Sequence, residues 1–233
     1  MNIFNIIWDF DGTILPIVPY DSEQSLMQHK LTLKNENISL FTRLLARFLN
    51  YADNREMLTS AFKRFYAWFM KGTHVSVLDT VCELLAEHIS DNDRQALLQL
   101  KSGGYRMAVL SCGTADLSER VLKKAGIDSC FEFIAGNRFK IENNHITGMQ
   151  LSMNKPESKV DFLNDIGMDA DSTVAVGDGY TDIPMLDWSG FSVLLDRSGH
   201  KKERFAEKDY SYISSIPELL PLIEKWTSNK TGF

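Results

Sequence analysis

The sequence predicts an α/β fold, a parallel sheet flanked by helices, with an all-helical module inserted after the first strand. Three observations predict it. From residue 91 onward, short apolar runs alternate with stretches of helical periodicity, the pattern of parallel strands joined by right-handed crossovers. Between residues 16 and 90 strand signals are few and apolar residues recur at helical spacing. Polar residues suited to chemistry stand directly after three strands: Asp9 and Asp11, Ser111, and Asp178.

The first strand is the apolar run Ile3, Phe4, Ile6, Ile7 and Trp8, ending near Asp9. Pro16 and Pro19 then break the chain. In the helical block, Leu40, Phe41, Leu44, Leu45, Phe48 and Leu49 form one stripe, Phe62, Phe65, Tyr66 and Phe69 a second, and Val77, Val81, Leu84 and Leu85 a third. Ser90 or Asp91 caps a helix through Leu97, Leu98 and Leu100, stopped at Gly103 and Gly104. Met107 to Leu110 is a buried strand running into Ser111-Cys112-Gly113, followed by a helix from Leu117 to Ala125 that stops at Gly126. Phe131 to Ala135 is a short strand, and Phe139 to Met149 a hairpin turning at Asn143-Asn144. A helix from Pro156 to Ile166 ends at Gly167. Thr173 to Val176 is a strand leading into Gly177-Asp178-Gly179. Asp182 to Trp188 is helical, Phe191 to Leu195 is strand, and Pro217 to Trp226 is helix.

The chain has 233 residues, 44% of them hydrophobic, enough for one sizeable core and a smaller second module. Lys plus Arg total 25 against 31 Asp plus Glu, a formal charge of -6; with no basic tract, the balance argues against nucleic acid as partner. Cys82, Cys112 and Cys130 are widely spaced and suggest neither a disulfide framework nor a zinc site. No apolar run reaches the roughly 18 residues a membrane-spanning helix needs, and the N-terminal run is short and lacks a basic leader. A cytoplasmic protein, monomeric or homodimeric, is expected.

Two carboxylates with no basic neighbour are a costly way to end a buried strand, through both desolvation and mutual repulsion. A cation offsets that cost, and so does chemistry that uses both groups. Asp9 and Asp11 face the same way if the segment is extended, and Gly12 permits a tight turn after them. In open α/β sheets a ligand site lies beyond the carboxyl ends of the strands, so Asp9, Asp11, Ser111 and Asp178 can converge from distant positions. The set points to Mg²⁺-dependent phosphoryl transfer.

The motif DFDGT at the start, the segment NRFKIENNHITG (Asn137 to Gly148), then NKPESK and TVAVGDGYTD, resemble in order and spacing the haloacid dehalogenase (HAD) superfamily of phosphatases, in its phosphoserine phosphatase-like branch. The resemblance implies a Rossmann-like, HAD-like core over residues 1–15 and 91–233, with residues 16–90 forming a helical cap of the C1 type. It implies Asp9 as nucleophile, Asp11 as general acid and then base, and Ser111 as a phosphate ligand together with Cys112 and Gly113. Mg²⁺ would be held by Asp9, the Asp11 carbonyl and Asp178, with Asp182 supporting the site. For the lysine that offsets phosphate charge, Lys155 and Lys159 compete, and the family's placement favours Lys155.

The branch carries Ser-Gly-Gly where this chain has Ser111-Cys112-Gly113, so the implied substrate, a small phosphorylated metabolite, is left open. Phosphoserine, phosphoethanolamine or phosphocholine, a phosphosugar, a methionine-salvage ester, or transfer of the phosphoryl group to an acceptor all remain. Asp21 and Glu23 lie where the branch places an acidic residue that holds a substrate amine. Arg55, Lys63 and Arg64 could meet a substrate carboxylate or form solvated helix faces, and Trp68 could line the pocket.

Overall fold

A computed structural model describes residues 5–17, 19–33, 38–53 and 59–231. Ile3 and Phe4 of the expected first strand, and Arg55, lie outside the described residues.

The strands are β1 (Asn5–Trp8), β2 (Arg106–Thr114), β3 (Phe131–Glu142), β4 (His145–Gln150), β5 (Thr173–Gly177), β6 (Phe191–Leu195) and β7 (Ser211–Ile213). They form one sheet in the order β4-β3-β2-β1-β5-β6-β7. Every pairing is parallel except β3 with β4. Asn5–Trp8 pairs on one side with Arg106 to Val109 and on the other with Thr173 to Val176. β1 and β5 are buried along their whole length, which is why they read as unbroken apolar runs rather than alternating ones. The chain leaves β1 towards β2 and later returns on its other side as β5. The crevice that such a reversal opens lies at the carboxyl ends of the strands.

The helices are α1 (Ser22–Thr32), α2 (Leu40–Asp53), α3 (Thr59–Phe69), α4 (Val75–Ala86), α5 (Asp91–Ser102), α6 (Ala115–Lys124), α7 (Glu157–Asp165), α8 (Ile183–Trp188), α9 (Lys201–Arg204) and α10 (Leu219–Thr231). Ile7, Ala108, Leu110, Ala175 and Leu194 pack on one side of the sheet with Leu163 of α7 and Met185 and Leu186 of α8. The alternate residues Ile6, Trp8, Val109, Val174 and Val193 point to the opposite side, into a larger cluster with α4, α5, α6 and α10. That cluster also takes in Leu26 and Met27 of α1 and Phe62 and Tyr66 of α3, so the inserted helices and the sheet share apolar packing. No helix among the described residues is long and apolar enough to cross a membrane.

Several elements depart from the sequence reading. The predicted strand at Phe131 and the hairpin arm at Phe139 are one strand, β3, whose first half pairs with β2 and whose second half pairs with β4. The hairpin turns at Asn143 and Asn144, both at positive φ as a two-residue turn of this hand requires. Its arm supports the insertion: the Ile146 carbonyl accepts from Gly72 N–H (2.8 Å), Ile146 N–H donates to Thr73 (2.9 Å), and the Asn144 carbonyl accepts from Val75 N–H (2.9 Å). The stripe on α2 is mostly exposed, at Leu40, Phe41, Leu44 and Phe48; of its members Leu49 is buried, alongside Ala46 and Asn50, which the stripe did not include. α9 and β7 have no counterpart among the expected elements, both being too short for a periodicity to register.

Candidate active site

Asp9 follows β1 directly, and its N–H stays in the sheet by donating to the Val176 carbonyl (2.9 Å). The chain then turns tightly, with the Leu15 carbonyl accepting from Gly12 N–H (2.7 Å) and Leu15 N–H donating to Phe10 (2.9 Å). Gly12 is required twice over. Its φ is +87°, and a Cβ there would overlap the Asp178 carboxylate. Asp9 is 5% exposed. One oxygen accepts from Lys159 Nζ (2.7 Å) and the other from the Thr13 hydroxyl (3.4 Å).

Lys159 is fully buried and donates also to Asp182 Oδ1 (2.6 Å). Burial alone would push this ammonium down, but the Asp182 and Asp9 carboxylates outweigh it and hold Lys159 well above the usual lysine value. Asp9 is pushed well above the usual carboxylate range by burial, then by Asp182, with Lys159 opposing and Asp178 adding to the rise. Two acids thus share one cation.

Asp182 is also fully buried, and its second oxygen accepts the N–H groups of Asp178 (2.8 Å) and Gly179 (3.1 Å). It closes the turn that carries Asp178. Gly177 accommodates it, since a Cβ at that position would overlap the Asp182 side chain. Ligand atoms of Asp9, Asp178 and Asp182 lie within 4.8 Å of one another. Both oxygens of Asp182 are engaged, one by Lys159 and the other by the N–H groups of the turn. An all-oxygen set of this kind suits a hard divalent cation. Burial lifts Asp178 to about 6, with Lys201, its ion-pair partner, pulling the other way.

The Asp11 carboxylate is held by Ser22 at the start of α1, which donates through its N–H (2.8 Å) and its hydroxyl (2.9 Å). Burial lifts Asp11 to about 6, and those two hydrogen bonds restrain the rise. A group near this value can be both acid and base close to neutrality. Ser111 lies within β2 rather than after it, where the pairing with β3 becomes irregular between Leu110 and Thr114. Gly113 N–H donates to Ser111 Oγ (2.9 Å), and the place a Gly113 Cβ would take is 3.0 Å from Ser111 Oγ and 3.1 Å from Asp11 Oδ2. Asp11 and Ser111 therefore face the same small space. The Cys112 thiol is half-buried, and burial, eased by nearby Lys159, raises it above the usual thiol value. Asn137 pins this segment from β3, donating to the carbonyls of Cys112 (2.8 Å) and Met153 (3.2 Å) while accepting from Met153 N–H (3.0 Å).

The structure thus gathers Asp9, Asp178 and Asp182 around Lys159, and sets Asp11 beside Ser111 and Gly113. It does not bring Lys155 to Asp9. Lys155 is exposed and precedes α7, its carbonyl accepting from Ser158 N–H (3.1 Å) and lying 3.8 Å from Cys112 Sγ. The helix starts two residues too late to carry it. Lys159, in the first turn of α7, points inward and takes the place expected for Lys155. Asp21 caps α1, accepting from Gln24 N–H (2.7 Å). Glu23 is buried, pairs with Lys63, and accepts from the Thr114 hydroxyl (2.5 Å). Arg64 is exposed, and so is Trp68, which packs on Phe65 on the outside of α3. The sequence reading missed Ser22, Thr114 and Lys201, which no motif announced, and gave no role to Asn137 although it opens the NRFKIENNHITG segment; each acts through a partner well separated in the chain.

A family model described as haloacid dehalogenase-like hydrolase matches residues 6–187. A phosphoserine phosphatase of Archaeoglobus fulgidus is 28% identical over 132 residues, 54% of this chain, though the match spans only 37% of that protein. One of Halobacterium salinarum is 26% identical over 196 residues, 82% of this chain and 85% of that one. A solved structure of a phospho-aspartyl intermediate analogue of a phosphoserine phosphatase superposes with a TM-score of 0.70 at 20% identity, covering 95% of this chain and 99% of the other, a likeness of fold.

Proposed function

The chain belongs to the haloacid dehalogenase-like hydrolases, and on that premise we propose that it is a Mg²⁺-dependent phosphatase of small phosphorylated metabolites, similar to phosphoserine phosphatases. The observation that carries the reading is buried Lys159, bridging Asp9 and Asp182 beside Asp178. Asp9 and Asp178, with the Asp11 carbonyl, would hold the cation, which when bound neutralises charge on the phosphoryl group and on Asp9.

In the proposed reaction a carboxylate oxygen of Asp9 attacks phosphorus, and the ester P–O bond breaks. Asp11 gives its proton to the departing alcohol. Asp11 then takes a proton from a water molecule, whose oxygen attacks the aspartyl-phosphate and releases inorganic phosphate with Asp9 restored. Lys159 and the Ser111 hydroxyl bind phosphoryl oxygens and orient them for in-line attack. Residues 16–90 act as a cap that excludes water and contacts the rest of the substrate. A substrate other than phosphoserine is a second reading, favoured by two observations. The side chain of Cys112, next to Ser111, stands where the branch carries glycine, and the carboxylate of Glu23 is already engaged by Lys63 and Thr114.

The test is phosphate release from a panel of monoesters, phosphoserine, phosphoethanolamine, phosphocholine and phosphosugars, with Mg²⁺ or with excess EDTA. Asp9→Asn should abolish turnover while keeping the circular dichroism of the parent. Residual activity within tenfold of the parent would rule out the covalent route. Product analysis with an added acceptor alcohol separates hydrolysis from transfer.

A further inference from the structure

The segment after β6 is bound on several sides. Asp196 accepts from the Ser198 hydroxyl (2.9 Å) and from the N–H groups of His200 (3.2 Å), Lys201 (2.7 Å) and Lys202 (3.2 Å). Arg197 donates to the Thr13 carbonyl (3.0 Å), in the same loop as Asp9 and Asp11, and pairs with Asp93 of α5 (3.2 Å). These contacts fix the start of α9 and direct Lys201 onto Asp178 as an ion pair. Its neighbour Lys202 turns elsewhere, over the Tyr212 ring at 5.9 Å.

We infer that Lys201 is the internal counter-ion of Asp178 and sets the affinity of the site for its divalent cation by competing for that carboxylate. The inference rests on the cation reading above. Lys159 is committed to Asp9 and Asp182, so the ammonium that balances Asp178 is Lys201. A divalent cation bonded to Asp178 repels that ammonium and draws off the charge that held it. Lys201 is 25% exposed and has a route into solvent, whereas Lys159 is fully buried and has none. The free energy of separating Lys201 from Asp178 is subtracted from cation binding. By linkage, the bound cation loosens the grip of α9 on the Asp178 turn to the same extent. Lys201 acts here as a positioning residue, through Asp178.

The experiment is calorimetric titration of the full chain with MgCl₂, for the parent, Lys201→Met, Lys201→Gln and Lys202→Met, with melting temperatures taken with and without Mg²⁺. Both Lys201 variants should bind Mg²⁺ roughly 5- to 30-fold more tightly, the range for an ion pair between exposed and buried. Their melting temperatures should also rise more on adding Mg²⁺ than the parent's does. Lys202→Met should stay within about twofold of the parent, as expected for a lysine exposed to screening solvent. Unchanged or weaker binding in the Lys201 variants overturns the inference, as does equal tightening in Lys202→Met, which would mark a general field effect. Absence of Mg²⁺ binding in the parent and all variants overturns the cation reading itself.

Discussion

Lys159 is the residue on which the charge balance of the site turns. It is fully buried and lies 2.7 Å from Asp9 and 2.6 Å from Asp182. Removing it leaves two buried carboxylates without their cation, a loss of about 3–5 kcal/mol of stability. Its positive charge is also the natural partner of a phosphoryl oxygen, so Lys159→Met should lose at least about 100-fold in turnover. Exposed Lys155, with its side chain outside the site, should tolerate Lys155→Met with activity within about threefold. Initial rates of phosphate release, normalised to the folded fraction by circular dichroism, check both, and the reverse order would show that Lys155 carries the charge. The two lysines stand four residues apart, and spacing alone could not choose between them. The start of α7 decides, because only Lys159 lies inside the helix and shares its inward face with Leu163.

At the scale of elements, the legible parts were those whose burial repeats. β1 and β5 are buried throughout, and α5 and the β3–β4 hairpin announced themselves by cap and turn residues. α1 registered only as part of the helical block, without a stripe of its own, because its first turn buries Ser22, Glu23 and Gln24. Ser22 bonds Asp11 and Glu23 bonds Thr114, partners remote in sequence that make this burial affordable. The same holds for α9, a single turn fixed by Asp196. Burial pushes the Asp196 carboxyl up, but hydrogen bonds from Ser198, Lys201, Lys202 and Gly199 outweigh it and hold the group below the usual carboxylate range. A carboxylate depressed in the folded state adds stability above its unfolded value, about 4, and loses that contribution as pH falls through the lower folded value. Asp196→Asn should therefore cost about 1–2 kcal/mol at pH 7, a fall of roughly 2–8 °C in melting temperature. The gap between parent and variant should narrow as pH drops from 5 to 3. A gap constant over that range would mean that the Asp196 charge does not hold α9.

For the whole molecule, the question is whether the inserted helices and the sheet unfold as one body. The sequence divides them cleanly, because the periodicity changes near Ser90, yet composition cannot say how much apolar surface the two parts share. The larger cluster runs from Trp8 and Val109 in the sheet through Leu78 and Cys82 of α4 to Phe62 and Tyr66 of α3. A polar tie crosses the same boundary: Glu23 of α1 accepts from Thr114 at the end of β2 and pairs with Lys63 of α3. Thr114 is fully buried, and Glu23 is 2% exposed. Thr114→Val keeps the branched shape, removes the hydroxyl and leaves a buried carboxylate oxygen without that donor, at about 1–3 kcal/mol. Because the apolar cluster still joins the two parts, the parent and Thr114→Val should each unfold in urea through a single transition. Circular dichroism and tryptophan fluorescence should coincide, since Trp8 reports from the buried sheet and Trp68 from the surface of α3. The variant's midpoint should fall while its slope stays the same. Two separated transitions in the parent would mean the helical insertion is an autonomous unit, and the loss on removing the Thr114 hydroxyl would then appear in the transition of that unit alone.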